Sequence, residues 1–195
     1  MTNKNLIAKL SLVLVAIIWG VTFIMVKNAL NDAPPFSFAS LRFGIATILT
    51  LILVNQKIFT LTKHEINGGI FCGFFLFLGY AFQNFGLMIT TATKSAFITS
   101  ISVLLVPILL VVLKLQKVRM RIWIAVLMAT TGLYLLILPG GGINLGDIIT
   151  FGCSISFAIH IITQDYYIKK EVYYINLNYL IILFQYYKLI KELEN

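Results

Sequence analysis

Side chains able to do chemistry are sparse in this sequence, and they recur at helical spacing. Gly69, Gly73, Tyr80, Gln83 and Asn84 fall within roughly one 100° face of a helix that turns about 100° per residue. Thr91, Ser95, Thr99 and Ser102 form a second such stripe, and Cys153, Ser156, Phe157, His160 and Gln164 a third. Amides and hydroxyls offer hydrogen bonding rather than nucleophilic attack or proton relay; His160 or an Asp at a helix end is the exception that could load and release a proton. Two readings stay open for each stripe. Small and hydroxyl residues let helices approach, each polar pair contributing about 0.6 kcal/mol. The same groups line aqueous cavities, because buried polar atoms in hydrocarbon face protein or water rather than lipid. Gln83 and Asn84 are bulky amides suited to either role, and His160 reads first as a buried imidazole satisfied by a neighbour.

What is missing narrows the chemistry further. No Asp or Glu lies deep within an apolar run; Asp147 and Asp165 mark the two ends of one. Cys72 and Cys153 have no His or acid at ligand spacing and read as small packing residues, so no metal is expected. Gly140-Gly141-Gly142 is a turn, since no Gly-Lys-Ser/Thr follows it to cradle a phosphate. No catalytic residue and no cofactor are expected; an enzyme would need clustered acids or histidines, and only Asp165 with Lys169 and Lys170 comes near.

The elements that must hold these stripes are set by composition. Of 195 residues 59% are apolar and 11% charged, and mean hydropathy is +0.95. A soluble domain carries roughly 25% charged residues, so this chain has too little charge to cover a surface in water. A spanning helix needs about 20 mostly apolar residues. Such windows occur at Leu10–Val26, Phe36–Gln56, Ile66–Thr93, Ser95–Leu113, Ile122–Leu138 and Ile148–Gln164, joined by short turns such as Asn31-Asp32-Ala33-Pro34. The fold class predicted is all-α: a polytopic transmembrane bundle of six spans plus a doubtful seventh, Val172–Tyr187, which is short, tyrosine-rich and equally readable as an interfacial segment. Pro107 falls mid-span, where it frees the carbonyl of Val103 and marks a hinge or kink.

Charge then orients the bundle. A net charge of +8 would suggest nucleic acid in a soluble protein, but the basic residues are spread between apolar runs, so no nucleic-acid partner is expected. With the N-terminus inside, the cytoplasmic loops hold Lys4, Lys9, Lys57, Lys63, Lys114, Lys117, Arg119, Arg121, Lys169 and Lys170, while the opposite loops hold only Lys27 and Lys94. That bias predicts a multi-pass protein of the cell (plasma) membrane with a cytoplasmic N-terminus. Arg42 lies roughly 9 Å into the second span and is expected to snorkel outward, towards Asp32 or helix-end carbonyls, or to meet a solute.

An internal echo pairs Trp19-Gly20 with Phe157-Ala158, and an odd number of helices between them would insert the second copy in the opposite sense. Trp19-Gly20-x-Thr22-Phe23-x-x-x-Lys27, Phe38-Ala39-x-Leu41-Arg42-Phe43, Ala92-Thr93-Lys94-Ser95-Ala96-Phe97-Ile98 and the later Pro107 resemble EamA-type members of the drug/metabolite transporter superfamily. Gly146-Asp147 with Phe157-Ala158 resembles the start of that family's second repeat. The resemblance implies ten helices in two inverted five-helix repeats around a central cavity, with helices one, three, four and six lining it. It divides this chain into a first repeat over 8–140, an incomplete second over 146–187 and a short polar tail over 188–195.

On that basis the sequence is expected to be a secondary transporter of small metabolites or amino acids working by alternating access. Trp19 is expected as a cavity wall, Tyr80, Gln83 and Asn84 as hydrogen-bonding groups, Ser95, Thr99 and His160 as lining, and Pro107 as a hinge. The chain departs from the family by ending after one doubtful helix of the second repeat. The expectation is therefore either a truncated fragment without transport activity or a half-carrier joined by a second copy or a partner half. The expected partners are a small-molecule solute and the lipid bilayer. The superfamily's short proton-coupled relatives carry a Glu in the first helix; Leu10–Val26 has none, so that mechanism does not transfer.

Overall fold

A computed structural model describes residues 3–54, 62–115, 117–137 and 142–169, together with Ile181. Six helices follow one another: α1 (Asn3–Asp32), α2 (Pro35–Val54), α3 (Lys63–Ile89), α4 (Ala92–Val112), α5 (Met120–Ile137) and α6 (Leu145–Ile168). They occupy the six apolar windows, and no strand occurs among the described residues. Four of them, from Lys9 in α1, and α3, α4 and α6 entire, are long and apolar enough to cross a membrane. Helix ends and window ends differ by a few residues: α1 reaches Asp32, six residues beyond Val26, whereas α3 stops at Ile89, four short of Thr93. The doubtful segment 172–187 lies outside the described residues except for Ile181, which is buried against Cys72. The tail 188–195 lies outside them too, as do most of the glycine turn and the end of the second window.

Local chemistry explains where the helices start. Thr62 caps α3 by accepting from the Glu65 amide while the Glu65 carboxylate accepts from the Thr62 amide; Asn144 and Asp147 form the same reciprocal box at α6. Thr91 caps α4. Pro35 opens α2, where its missing N–H costs nothing. Inside the spans most hydroxyls are satisfied by their own helix: Thr47 donates to the Phe43 carbonyl, Thr50 to Ala46 and Thr163 to Ile159. That back-bonding lets polar residues sit in an apolar segment without an orphaned donor.

The packed centre is α3 against α6, with α4 lying on α6. Contact is closest where the end of α3 crosses the start of α6. A Cβ at Gly86 would stand 2.1 Å from Thr150 Oγ1 and 2.9 Å from the Gly146 carbonyl oxygen, and one at Gly146 would stand 2.8 Å from the Gly86 carbonyl oxygen. Only two glycines permit backbones this near, the device by which membrane helices associate. The outer helices attach by narrow seams. α1 contributes Val26 and Leu30, packed on Leu87; α2 contributes Ala39 and Phe43, packed on Phe77. Their remaining apolar side chains are largely exposed, as lipid-facing surfaces are.

Candidate solute-binding site

The three polar stripes converge. Gln83 of α3 donates through Nε2 to Thr99 Oγ1 of α4 at 3.3 Å and reaches Cys153 Sγ of α6 at 3.9 Å; Thr99 Oγ1 lies 3.9 Å from the same sulfur. Three helices thus meet at an amide, a hydroxyl and a thiol. One helical step further along α3, Asn84 is 4% exposed and its Oδ1 has no hydrogen-bond partner. On α4, Ser95 is fully enclosed and its Oγ is equally unpartnered. An orphaned buried polar atom costs about 1–3 kcal/mol, so Asn84 and Ser95 are unusual within a bundle where most hydroxyls are bonded.

Tyr80, one turn before Asn84, is framed by aromatic rings. It meets Phe43 of α2 edge-on at 5.0 Å and Phe157 of α6 at 5.4 Å. The Phe157 ring fits only because residue 79 is glycine: a Cβ there would stand 2.2 Å from it. The Arg42 guanidinium lies over the Tyr80 ring at 5.1 Å and over Phe43 at 5.7 Å. The expected outward snorkel towards Asp32 is corrected: ring faces, which attract a cation at this distance, hold Arg42 against α3 instead. Tyr80, Phe43 and Asn84 also border a small cleft between α2 and α3, of a size for about one water molecule.

The remaining expected residues do not join this cluster. His160 donates from Nδ1 to the Cys72 carbonyl at 2.9 Å, which ties α6 to α3 and fixes the tautomer with its proton on Nδ1. Trp19 is 66% exposed on α1 and contacts neither the Gln83 group nor the Tyr80 group. Pro107 lies inside α4, on the flank that faces the start of α5. Cys72 and Cys153 are buried free thiols. Among the described residues no three of His, Cys, Asp or Glu gather as a metal would require.

Two interactions escaped the sequence reading. Lys94, just inside α4, pairs with Asp147 of α6 at 3.5 Å and donates to the Gly142 carbonyl at 2.6 Å, while Thr90 donates to the other Asp147 oxygen. Lys27 of α1 donates to the carbonyls of Leu87 and Met88, satisfying the end of α3. The signal was present: alternating loops put Lys27, Lys94, Asp32 and Asp147 on the same side, and two cations with two acids at one end of a bundle have few other partners.

The first part of the chain, residues 6–138, matches the family model described as the EamA-like transporter family. The chain belongs to that family, whose members are transporters, and it is a multi-pass membrane protein. It is 39% identical over 165 residues to an uncharacterized transporter of Archaeoglobus fulgidus, covering 84% of this chain and 51% of that protein. Two uncharacterized transporters of Bacillus subtilis are more distant: YetK at 29% identity, over 73% of this chain and 44% of its own, and YoaV at 26%, over 53% and 35%. The chain spans about half or less of the length of these relatives. No solved structure matches it.

Proposed function

We propose that this chain forms one half of a secondary carrier that moves a small polar solute, a metabolite or an amino acid, by alternating access. In this reading all six helices span the cell membrane, with the N-terminus in the cytoplasm, as the distribution of Lys and Arg favours. The observation that carries the reading is the pair of buried, unpartnered groups, Asn84 Oδ1 and Ser95 Oγ, beside the Gln83–Thr99–Cys153 cluster. Groups kept only to pack helices are mostly bonded, as Thr99, Thr150 and Ser154 are; groups left waiting suit a ligand that supplies the missing bonds. Tyr80 and Phe157 provide an apolar wall, Arg42 a cation at its edge, and Pro107 the weak point at which α4 bends.

Further helices, from a longer chain, a second copy or a partner half, would complete the pathway, and the exposed ring of Trp19 would then become part of its wall. The test is transport in proteoliposomes across a panel of labelled amino acids and small metabolites, with the protein alone and with a partner half. Uptake or efflux above protein-free vesicles, reduced in Asn84→Leu and Ser95→Ala, is the expected result. A panel on which no solute moves faster than leakage would remove the proposal.

A further inference from the structure

The link between α4 and α5 carries four cations in eight residues, Lys114, Lys117, Arg119 and Arg121, and all four are exposed. Not one Asp or Glu occurs from residue 66 to residue 146. Among the described residues none of these four cations is ion-paired with an acid. Immediately beside it runs an open groove of about 500 Å³ between α4 and α5. Its walls are apolar (Val106, Pro107, Leu110 and Ile122), and Lys117 and Arg119 stand at its edge.

Basic residues alone, next to a membrane helix, would be a topology signal and nothing more. Here they sit at the mouth of an apolar slot on a lipid-facing flank, and the combination fits one amphiphile: an anionic head followed directly by hydrocarbon. A soluble phosphate would leave the slot empty, and a zwitterionic lipid would bring its own ammonium group against the cations. We infer that the α4–α5 groove is a binding site for an acidic phospholipid, its headgroup phosphate on Lys117 and Arg119 and one acyl chain along Val106, Pro107 and Leu110. Basic pockets between membrane helices hold acidic headgroups by the same electrostatics. Because the acyl chain settles on Pro107, occupancy would also bear on the residue inside α4 that has no backbone N–H to donate.

Trp123 stands one residue after Ile122 and is one of two tryptophans in the chain, so Trp19→Phe leaves a single reporter next to the groove. The experiment places this full-length variant in phosphatidylcholine vesicles containing a small, fixed fraction of phosphatidylglycerol or of phosphatidylcholine brominated on the acyl chain, and reads quenching of Trp123. Two headgroup contacts predict an apparent affinity for the brominated acidic lipid on the order of tenfold above that for the zwitterionic one. The preference should vanish in Lys117→Gln/Arg119→Gln, whose exposed substitutions leave the bundle intact, and should survive inorganic phosphate in the buffer. Equal quenching by the two lipids, quenching by neither, displacement by inorganic phosphate, or a preference unchanged in the double variant would each overturn the inference. None of these outcomes depends on whether the protein transports a solute.

Discussion

Lys94 and Asp147 face each other at 3.5 Å, both buried, across the end of the bundle where α3 gives way to α4 and α6 begins. Each has more than one bond at that end: Lys94 also holds the Gly142 carbonyl, and Asp147 accepts from Thr90 and from the Asn144 amide. The pair therefore fastens two turns and the start of a helix at a single point. Losing one member leaves the other charged, buried and unmatched, which costs about 3–5 kcal/mol. Asp147→Ala should lower the unfolding temperature in detergent more than Lys94→Ala does, because it also removes the α6 capping box. The double variant Lys94→Met/Asp147→Leu should be more stable than Asp147→Ala alone. Strict additivity of the two single losses would show that the groups act independently.

The contrast between Gly79 and Gly132 tests the packing of the aromatic wall. A Cβ at Gly79 would sit 2.2 Å from the Phe157 ring, whereas one at Gly132 meets nothing within 4 Å. Gly79→Ala should destabilise by about 1–3 kcal/mol through overpacking, and Phe157→Leu in the same chain should recover part of it. Gly132→Ala should stabilise by about 0.5–1 kcal/mol, the helix propensity that glycine forgoes. Thermal unfolding of the three variants in one detergent measures this; a Gly79→Ala protein as stable as the parent would mean that Phe157 moves aside freely.

Gln83 joins α4 and α6 to α3 through weak, long bonds, at 3.3 and 3.9 Å. Replacing it by leucine removes hydrogen bonds worth about 0.5–1.5 kcal/mol but fills the space with apolar atoms. Stability should therefore change by no more than about 1 kcal/mol, while transport by the assembled carrier should fall about tenfold or more, a loss of about 1.4 kcal/mol in the solute's passage. Solute flux in proteoliposomes beside unfolding in detergent separates the two. Stability lost with flux unchanged would make Gln83 a packing residue.

How much of this was readable in the residues follows from what each signal depends on. Helix positions depend on local composition, so the windows around Trp19, Tyr80, Ser95 and His160 marked the helices that carry them. The convergence of Gln83, Thr99 and Cys153 was half legible: helical periodicity put each on its stripe, but which stripes face one another is a matter of packing between segments up to 70 residues apart. His160 reads first as a satisfied buried imidazole, but its partner, the carbonyl of Cys72, cannot be located from periodicity. Arg42 went wrong for the same reason: its position suggested Asp32 or helix-end carbonyls as partners, and the ring of Tyr80 on another helix lies at 5.1 Å. The orphaned Asn84 and Ser95 were legible only as polar residues, since the lack of a partner is a property of the whole surrounding shell.

Lys114 provides the last test. It is the non-glycine residue with positive φ among the described residues, at 55°, and it sits just past the end of α4. Its amide bonds the Val111 carbonyl at 3.0 Å and the next amide, of Leu115, bonds the Leu110 carbonyl at 2.9 Å, the paired closure that ends helices on a left-handed residue. Glycine occupies that position most readily, because a Cβ in the left-handed region costs about 1–2 kcal/mol. Lys114→Gly should therefore raise stability by about 1 kcal/mol in neutral detergent, while Lys114→Ala, which keeps the Cβ and loses the charge, should not. The comparison isolates backbone strain from electrostatics: equal effects of the two substitutions would assign any change to the missing cation instead.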